Sequence, residues 1–129
     1  MSNYTKEDLQ NMLNNSEISS QALETLLKAR ENGDIDFKLV DIREVYEYTD
    51  ASIKGTDLLL PTSVIHLHMD KLEALKNTPT ILYCRTGNRT GHVLSILKKM
   101  GFDKMSHLSQ GILSYRGEIV RDAAIPNKL

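Results

Sequence analysis

The stretch Thr80-Ile81-Leu82-Tyr83-Cys84-Arg85-Thr86-Gly87-Asn88-Arg89-Thr90-Gly91 decides the fold. Its first four residues are apolar, aromatic or β-branched and predict a buried strand. Small, polar and basic residues follow Cys84, with glycines at 87 and 91. Beyond them Val93, Ile96, Leu97 and Met100 recur at helical spacing, with Lys98 and Lys99 in the last turn and Gly101 just past the end. Cys84 therefore ends a strand and opens a tight loop into a helix N-terminus. Backbone N–H groups and the positive end of the helix dipole converge there on whatever lies above the sulfur, and Arg85 and Arg89 add charge. Both effects favour thiolate over thiol, and the thiolate is the nucleophile. The alternative is a cysteine that merely fills a small apolar space. The placement favours a sulfur nucleophile that handles an anion.

Working outward, strands alternate with helices. Leu9, Met12 and Leu13 suit a short helix within residues 4–14, which could serve as a frayed tail, a lid or an oligomer contact. Ser20 is placed to cap a helix striped by Leu23, Leu26 and Leu27, ending near Asn32-Gly33. Residues 37–42 predict a strand covered on both faces, and residues 44–48 a single helical turn. Leu58-Leu59-Leu60 forms a short or edge strand halted by Pro61. Ile65, Met69, Leu72 and Leu75 suit one helix ending before Asn77. After the cysteine loop and its helix come a strand at 104–108 and a last helix over 112–122. This alternation predicts an α/β fold with an open, mainly parallel sheet of about five strands and helices on both faces. In such sheets ligands bind at the carboxyl ends of strands, where Cys84 stands.

With 129 residues the chain has the length of one domain, able to bury a core without disulfides. A single cysteine excludes an internal disulfide and a Cys-x-x-Cys redox or zinc site. A net charge of −1 with mixed signs gives no general attraction to nucleic acid or membrane. The polar start and the lack of a long apolar span lead to the expectation of a soluble, cytoplasmic protein. His66 and His68 diverge by about 200° on a helix and could not share an ion there. On a strand they would share a face, but no third ligand is clearly placed, so no metal is expected. His92, on the helix after the loop, is the histidine expected nearest Cys84, while His107 carries no signal beyond its strand.

The quoted residues also resemble a known family. Cys84-Arg85-Thr86-Gly87-Asn88-Arg89-Thr90 is similar to the active-site loop of rhodanese-like sulfurtransferases, which hold sulfur as a cysteine persulfide. Leu39-Val40-Asp41-Ile42-Arg43-Glu44, with Glu47-Tyr48 after it, resembles the family's Asp-Val-Arg strand and the glutamate behind it. Ser52-Ile53-Lys54-Gly55 and Gly111-Ile112-Leu113-Ser114-Tyr115 resemble two further family elements, Tyr115 standing where tryptophan is usual. The resemblance implies a single rhodanese-like domain over 17–122, an N-terminal extension at 1–16 and a tail at 123–129.

It also implies an activity: transfer of sulfane sulfur from a donor such as thiosulfate to cyanide, a thiol or a partner protein, through a Cys84 persulfide. No cofactor is called for. Arg85, Thr86, Gly87, Asn88, Arg89 and Thr90 would bind the substrate, largely through backbone N–H groups, with Gly87 in a conformation closed to residues bearing a Cβ. Asp41 is expected to accept N–H groups of the cysteine loop and Arg43 to pair with Glu47, both as supports. Tyr115 is expected to pack under the loop. The partners would be a small anionic donor and a thiol or protein acceptor, and the oligomeric state is open, a homodimer included.

Two alternatives compete. A rhodanese-like binding module without activity usually lacks the cysteine, which this chain keeps. Cysteine phosphatases on a similar scaffold resemble His-Cys-x5-Arg, whereas here Tyr83 precedes the cysteine and Arg89 arrives one residue early. The shorter cradle suits a terminal sulfur better than a tetrahedral phosphoryl group.

Overall fold

The computed structural model describes residues 4–129. Along the chain run α1 (Lys6–Asn14), β1 (Glu17–Ile18), α2 (Ser20–Glu31), β2 (Lys38–Asp41), α3 (Val45–Asp50), β3 (Ser52–Ile53) and β4 (Leu58–Leu59). Then follow α4 (Met69–Ala74), β5 (Thr80–Tyr83), α5 (Asn88–Lys99), β6 (Met105–Leu108) and β7 (Ile119–Val120). Five strands form one parallel sheet in the order β1-β6-β5-β2-β4, and β3 pairs antiparallel with β7 in a small second sheet. The fold is the expected α/β sheet with helices on both faces.

Period-two alternation divides the core. Leu39, Ile81 and Tyr83 face the cluster built on α1 and α2, with Leu9, Leu13, Leu23 and Leu26. Val40, Leu82 and Cys84 face the opposite cluster, with Leu72 and Leu75 near α4 and Leu94 and Leu97 from α5. β5 is the middle strand, in register with β2 from Lys38↔Thr80 to Asp41↔Tyr83 and with β6 from Thr80↔Met105 to Leu82↔His107. The cysteine loop thus leaves the centre of the sheet, flanked by the ends of two neighbouring strands.

The helix expected within residues 4–14 forms as α1, Lys6–Asn14. Thr5 caps it, accepting from the Asp8 N–H while Asp8 accepts from the Thr5 N–H. Leu9 and Leu13, four residues apart, are buried in the α1–α2 cluster, so this helix is packed rather than frayed. The cap of α2 is Ser19, whose hydroxyl accepts from the Ala22 N–H, one residue before the expected Ser20.

Two expected helices are corrected. The segment from Ile65 to Leu75 is broken into a 3-10 turn over Ile65–Leu67 and the separate α4, with His68 outside helical geometry at φ −125° and ψ 29°. Ile65, Met69, Leu72 and Leu75 still pack on one cluster, but the helix is interrupted between the first two of them at His68. Residues 112–122 form only a 3-10 turn, Ile112–Ser114, and then extend into β7. The β-branched pair Ile119-Val120 finds a partner strand in Ser52-Ile53, which outweighs the helical spacing of Ile112, Tyr115 and Ile119. β1 was not expected; its two residues are too few to show a period, and its register with His107 and Leu108 establishes it.

Candidate active site

Cys84 follows the last residue of β5 and is 1% exposed. Gly87 is the N-cap of α5 at φ +97°, and a Cβ there would collide with the Ser109 carbonyl. Glycine is required at this turn. The loop carbonyls are turned away and occupied: Ile112 N–H donates to the Cys84 carbonyl at 2.9 Å and Leu113 N–H to the Arg85 carbonyl at 3.0 Å. Gly111, at φ +70°, lets this strap approach, since a Cβ there would strike the Arg85 carbonyl. With the carbonyls held outside, the N–H groups can face the sulfur. Gly87 N–H donates to Cys84 Sγ at 3.2 Å, and Thr90 Oγ1 lies 3.6 Å from it.

These contacts tune the thiol. Burial pushes its pKa up, but the Thr90, Gly87 and Thr86 N–H groups, joined by the Thr90 hydroxyl when its proton turns to the sulfur, outweigh burial and bring it below the ordinary value. The thiolate is favoured by backbone donors at the start of α5, as expected.

The remaining expected residues divide sharply. Arg85, Thr86 and Asn88 are exposed, and Thr90 is buried. Arg89 does not reach over the sulfur as a free cation: its Nη1 and Nη2 each donate to a different Glu47 carboxylate oxygen at 2.9 Å. The paired Arg89 guanidinium lowers the Glu47 pKa to about 2, against partial burial. Arg43 therefore does not pair with Glu47. It turns back on Asp41, donating from Nε at 3.0 and 3.1 Å and from Nη2 at 2.8 Å, and caps the Ala51 carbonyl at 2.7 Å.

Asp41 consequently accepts Arg43 and the Arg43 N–H, not the N–H groups of the cysteine loop. A carboxylate buried on the strand beside Tyr83 takes the nearest guanidinium, two residues along its own chain. The support it gives the loop is indirect: Arg43 lies over the Tyr83 ring at 5.5 Å, and Tyr83 immediately precedes Cys84. The Tyr83 hydroxyl accepts from the Ile53 N–H at 3.3 Å and meets Thr56 Oγ1 at 2.8 Å.

The histidines are reversed from expectation. His92 is exposed on α5 and makes none of the hydrogen bonds around the sulfur. His107 is buried on β6, and its Nδ1 lies 2.7 Å from Thr90 Oγ1, one hydroxyl away from Cys84. The signal that could have placed it is register: His107 aligns with Leu82, two residues before the cysteine. Tyr115 packs against the α1–α2 cluster, and the residue close beneath the loop is Gly111. Among the described residues no group of three or more His, Cys, Asp or Glu could hold a metal. No described helix is long and apolar enough to cross a membrane.

Comparison with known proteins agrees with this geometry. The Rhodanese-like domain family matches residues 22–118. A sulfurtransferase of Allochromatium vinosum is 30% identical over 99 residues, covering 77% of this chain and 86% of that protein. The probable adenylyltransferase/sulfurtransferase MoeZ of Mycobacterium tuberculosis is 31% identical over 84 residues, 65% of this chain, but the match spans only 21% of MoeZ. The crystal structure of a rhodanese-related protein from Thermoplasma volcanium superposes with a TM-score of 0.67 at 22% identity, covering 82% of this chain and 98% of that one. A family match over residues 22–118, on a chain whose cysteine loop leaves the centre of a parallel sheet, leads to one assignment: this chain belongs to the rhodanese-like domain family.

Proposed function

We propose that the protein is a sulfurtransferase that carries sulfane sulfur as a Cys84 persulfide, taking it from a small anionic donor such as thiosulfate and giving it to a thiol or a partner protein. The observation that carries this reading is the Gly87 N–H donating to the sulfur at 3.2 Å at the start of a helix, with Thr90 Oγ1 within reach at 3.6 Å. In the first step the Cys84 thiolate attacks the outer sulfur of thiosulfate. A sulfur–sulfur bond forms, the donor's own breaks, sulfite leaves with the electron pair, and Cys84–S–S⁻ remains. In the second step a thiolate or cyanide attacks the outer sulfur and Cys84 leaves as thiolate. The carrier alternates between two forms, so donor and acceptor need not meet. No cofactor enters the scheme, and the setting proposed is the reducing cytoplasm.

Arg85 is the loop cation exposed to solvent and the one we assign to attracting the donor. Arg89 falls one residue short of the phosphatase spacing and has both guanidinium arms on Glu47, which argues against a phosphoryl clamp. The test is turnover: thiocyanate release from thiosulfate and cyanide, dependent on Cys84, with aryl-phosphate hydrolysis at background. Cys84-dependent phosphatase activity with no sulfur transfer would overturn the reading.

A further inference from the structure

Thr90 Oγ1 stands among three possible acceptors for its single hydroxyl proton: Cys84 Sγ at 3.6 Å, the Gly87 carbonyl at 3.2 Å and His107 Nδ1 at 2.7 Å. Only one can receive it at a time. The choice depends on His107. If Nδ1 is bare, it takes the proton over the shortest of the three distances and the sulfur receives none from the threonine. If Nδ1 carries hydrogen, it donates to Thr90 Oγ1, and the hydroxyl proton is left to the Gly87 carbonyl or the sulfur, of which the anionic sulfur is the stronger acceptor.

The groups around His107 select the first arrangement at neutral pH. From β1 the Glu17 carboxylate lies 3.9 Å from Nε2, which favours hydrogen on that nitrogen and leaves Nδ1 bare. From α5 come Thr90 and, more distantly, Lys98, whose ammonium is hydrogen-bonded to Ser16 Oγ at 2.9 Å. On β5 the aligned residue is the apolar Leu82. Burial lowers the His107 pKa, Lys98 lowers it further and Glu17 offsets part of this, so the ring is neutral near pH 7.

We infer that His107 is a positioning residue for the nucleophile: by holding or releasing the hydroxyl proton of Thr90, it sets whether the threonine side chain hydrogen-bonds the Cys84 sulfur. A neutral His107 keeps one donor off the thiolate and leaves it the stronger nucleophile. Protonation of His107 hands that donor to the sulfur and stabilises the anion. Linkage makes the effect reciprocal, so an anionic sulfur raises the affinity of His107 for its proton. The inference rests on reading Cys84 as the nucleophile, whatever its substrate.

Nitrogen-15 NMR of the wild-type protein tests the arrangement directly. At neutral pH the His107 resonances should show a bare Nδ1 and a protonated Nε2, and carboxamidomethylation of Cys84 should lower the His107 titration midpoint. Alkylation by iodoacetamide followed against pH tests the consequence. Removing the competing acceptor with His107→Phe should move the Cys84 thiolate step downward by about 0.5 to 1 pH unit. The shift should disappear in a Thr90→Val background and persist with Thr90→Ser.

A protonated Nδ1 in the neutral wild-type ring would overturn the inference, as would a thiolate step that moves equally with and without the Thr90 hydroxyl. Should His107→Phe fail to fold, the wild-type spectra before and after alkylation decide alone. Alkylation that behaves as stated in a protein that never takes up sulfur would sink the sulfurtransferase reading and leave His107 its role. Sulfur uptake with a thiolate step indifferent to His107 would do the reverse.

Discussion

Arg89 and Glu47 meet arm to arm, Nη1 to Oε1 and Nη2 to Oε2, each at 2.9 Å, joining the start of α5 to α3. The pair does two things. It anchors the helix whose N-terminal N–H groups face Cys84, and it neutralises one of the two loop arginines. Arg89 is thereby a structural brace, and Arg85 is left as the exposed loop cation.

That division predicts unequal mutants. Arg85→Met should lower kcat/KM for thiosulfate about tenfold, acting through electrostatic attraction of the dianion, with much less effect on a neutral persulfide donor. Arg89→Met should instead destabilise the fold, measured by urea unfolding, because it leaves Glu47 without its partner. Equal losses on both donors for Arg85→Met would show that this arginine plays no part in steering.

The same pair predicts an acid-sensitive step in stability. Arg89 depresses the Glu47 pKa from an ordinary 4.5 to about 2. The unfolded chain binds the proton first, so the contribution is fully present above pH 4.5 and is lost as pH falls through that interval toward 2. Since Arg89 is a third exposed, we expect about 1 kcal/mol after solvent screening. Unfolding free energy measured against pH should fall across this window in the wild type and by less in Glu47→Gln.

A larger cost is expected at Asp41 and Arg43, whose side chains are 0% and 6% exposed. Asp41→Asn keeps the shape but leaves the Arg43 guanidinium buried without its counter-charge, at a cost of about 3 to 5 kcal/mol. Because Asp41 touches the cysteine loop only through its neighbours, whatever fraction folds should retain the wild-type thiolate step. A shifted step in folded Asp41→Asn would restore the expectation that this carboxylate contacts the loop.

Gly111→Ala should be more damaging to activity than its size suggests. Its Cβ would occupy the space of the Arg85 carbonyl, forcing apart the strap that holds the Cys84 and Arg85 carbonyls outward. The expected result is an upward move of the thiolate step with a secondary structure content near wild type. An unchanged step would mean that the loop keeps its shape without the strap.

How far the sequence alone carries can be judged residue by residue. Thr80 to Gly91 was legible because strand, turn and helix signals abut there, each with its own local cause: apolar run, positive-φ glycine, helical spacing. Gly87 and Cys84 follow from that stretch alone. The side-chain pairings were not legible, because they depend on which strands become neighbours. Glu47 lies 42 residues from Arg89, and Arg43 could have served it equally well by spacing. His107 gains its position only through the β5–β6 register. The segment at 112–122 shows the converse, where helical spacing lost to a strand partner 66 residues away in sequence at Ile53↔Ile119.

The central claim, that Cys84 carries sulfur as a persulfide, is tested most directly by intact mass after incubation with thiosulfate, polysulfide and a low-molecular-weight persulfide in turn. At least one donor should add about 32 Da, one sulfur atom on a reactive thiolate. Cyanide should remove the added mass, and Cys84→Ser should never acquire it. A wild-type mass unchanged by every donor would contradict the account and leave the chain a rhodanese-like domain that binds without transferring sulfur.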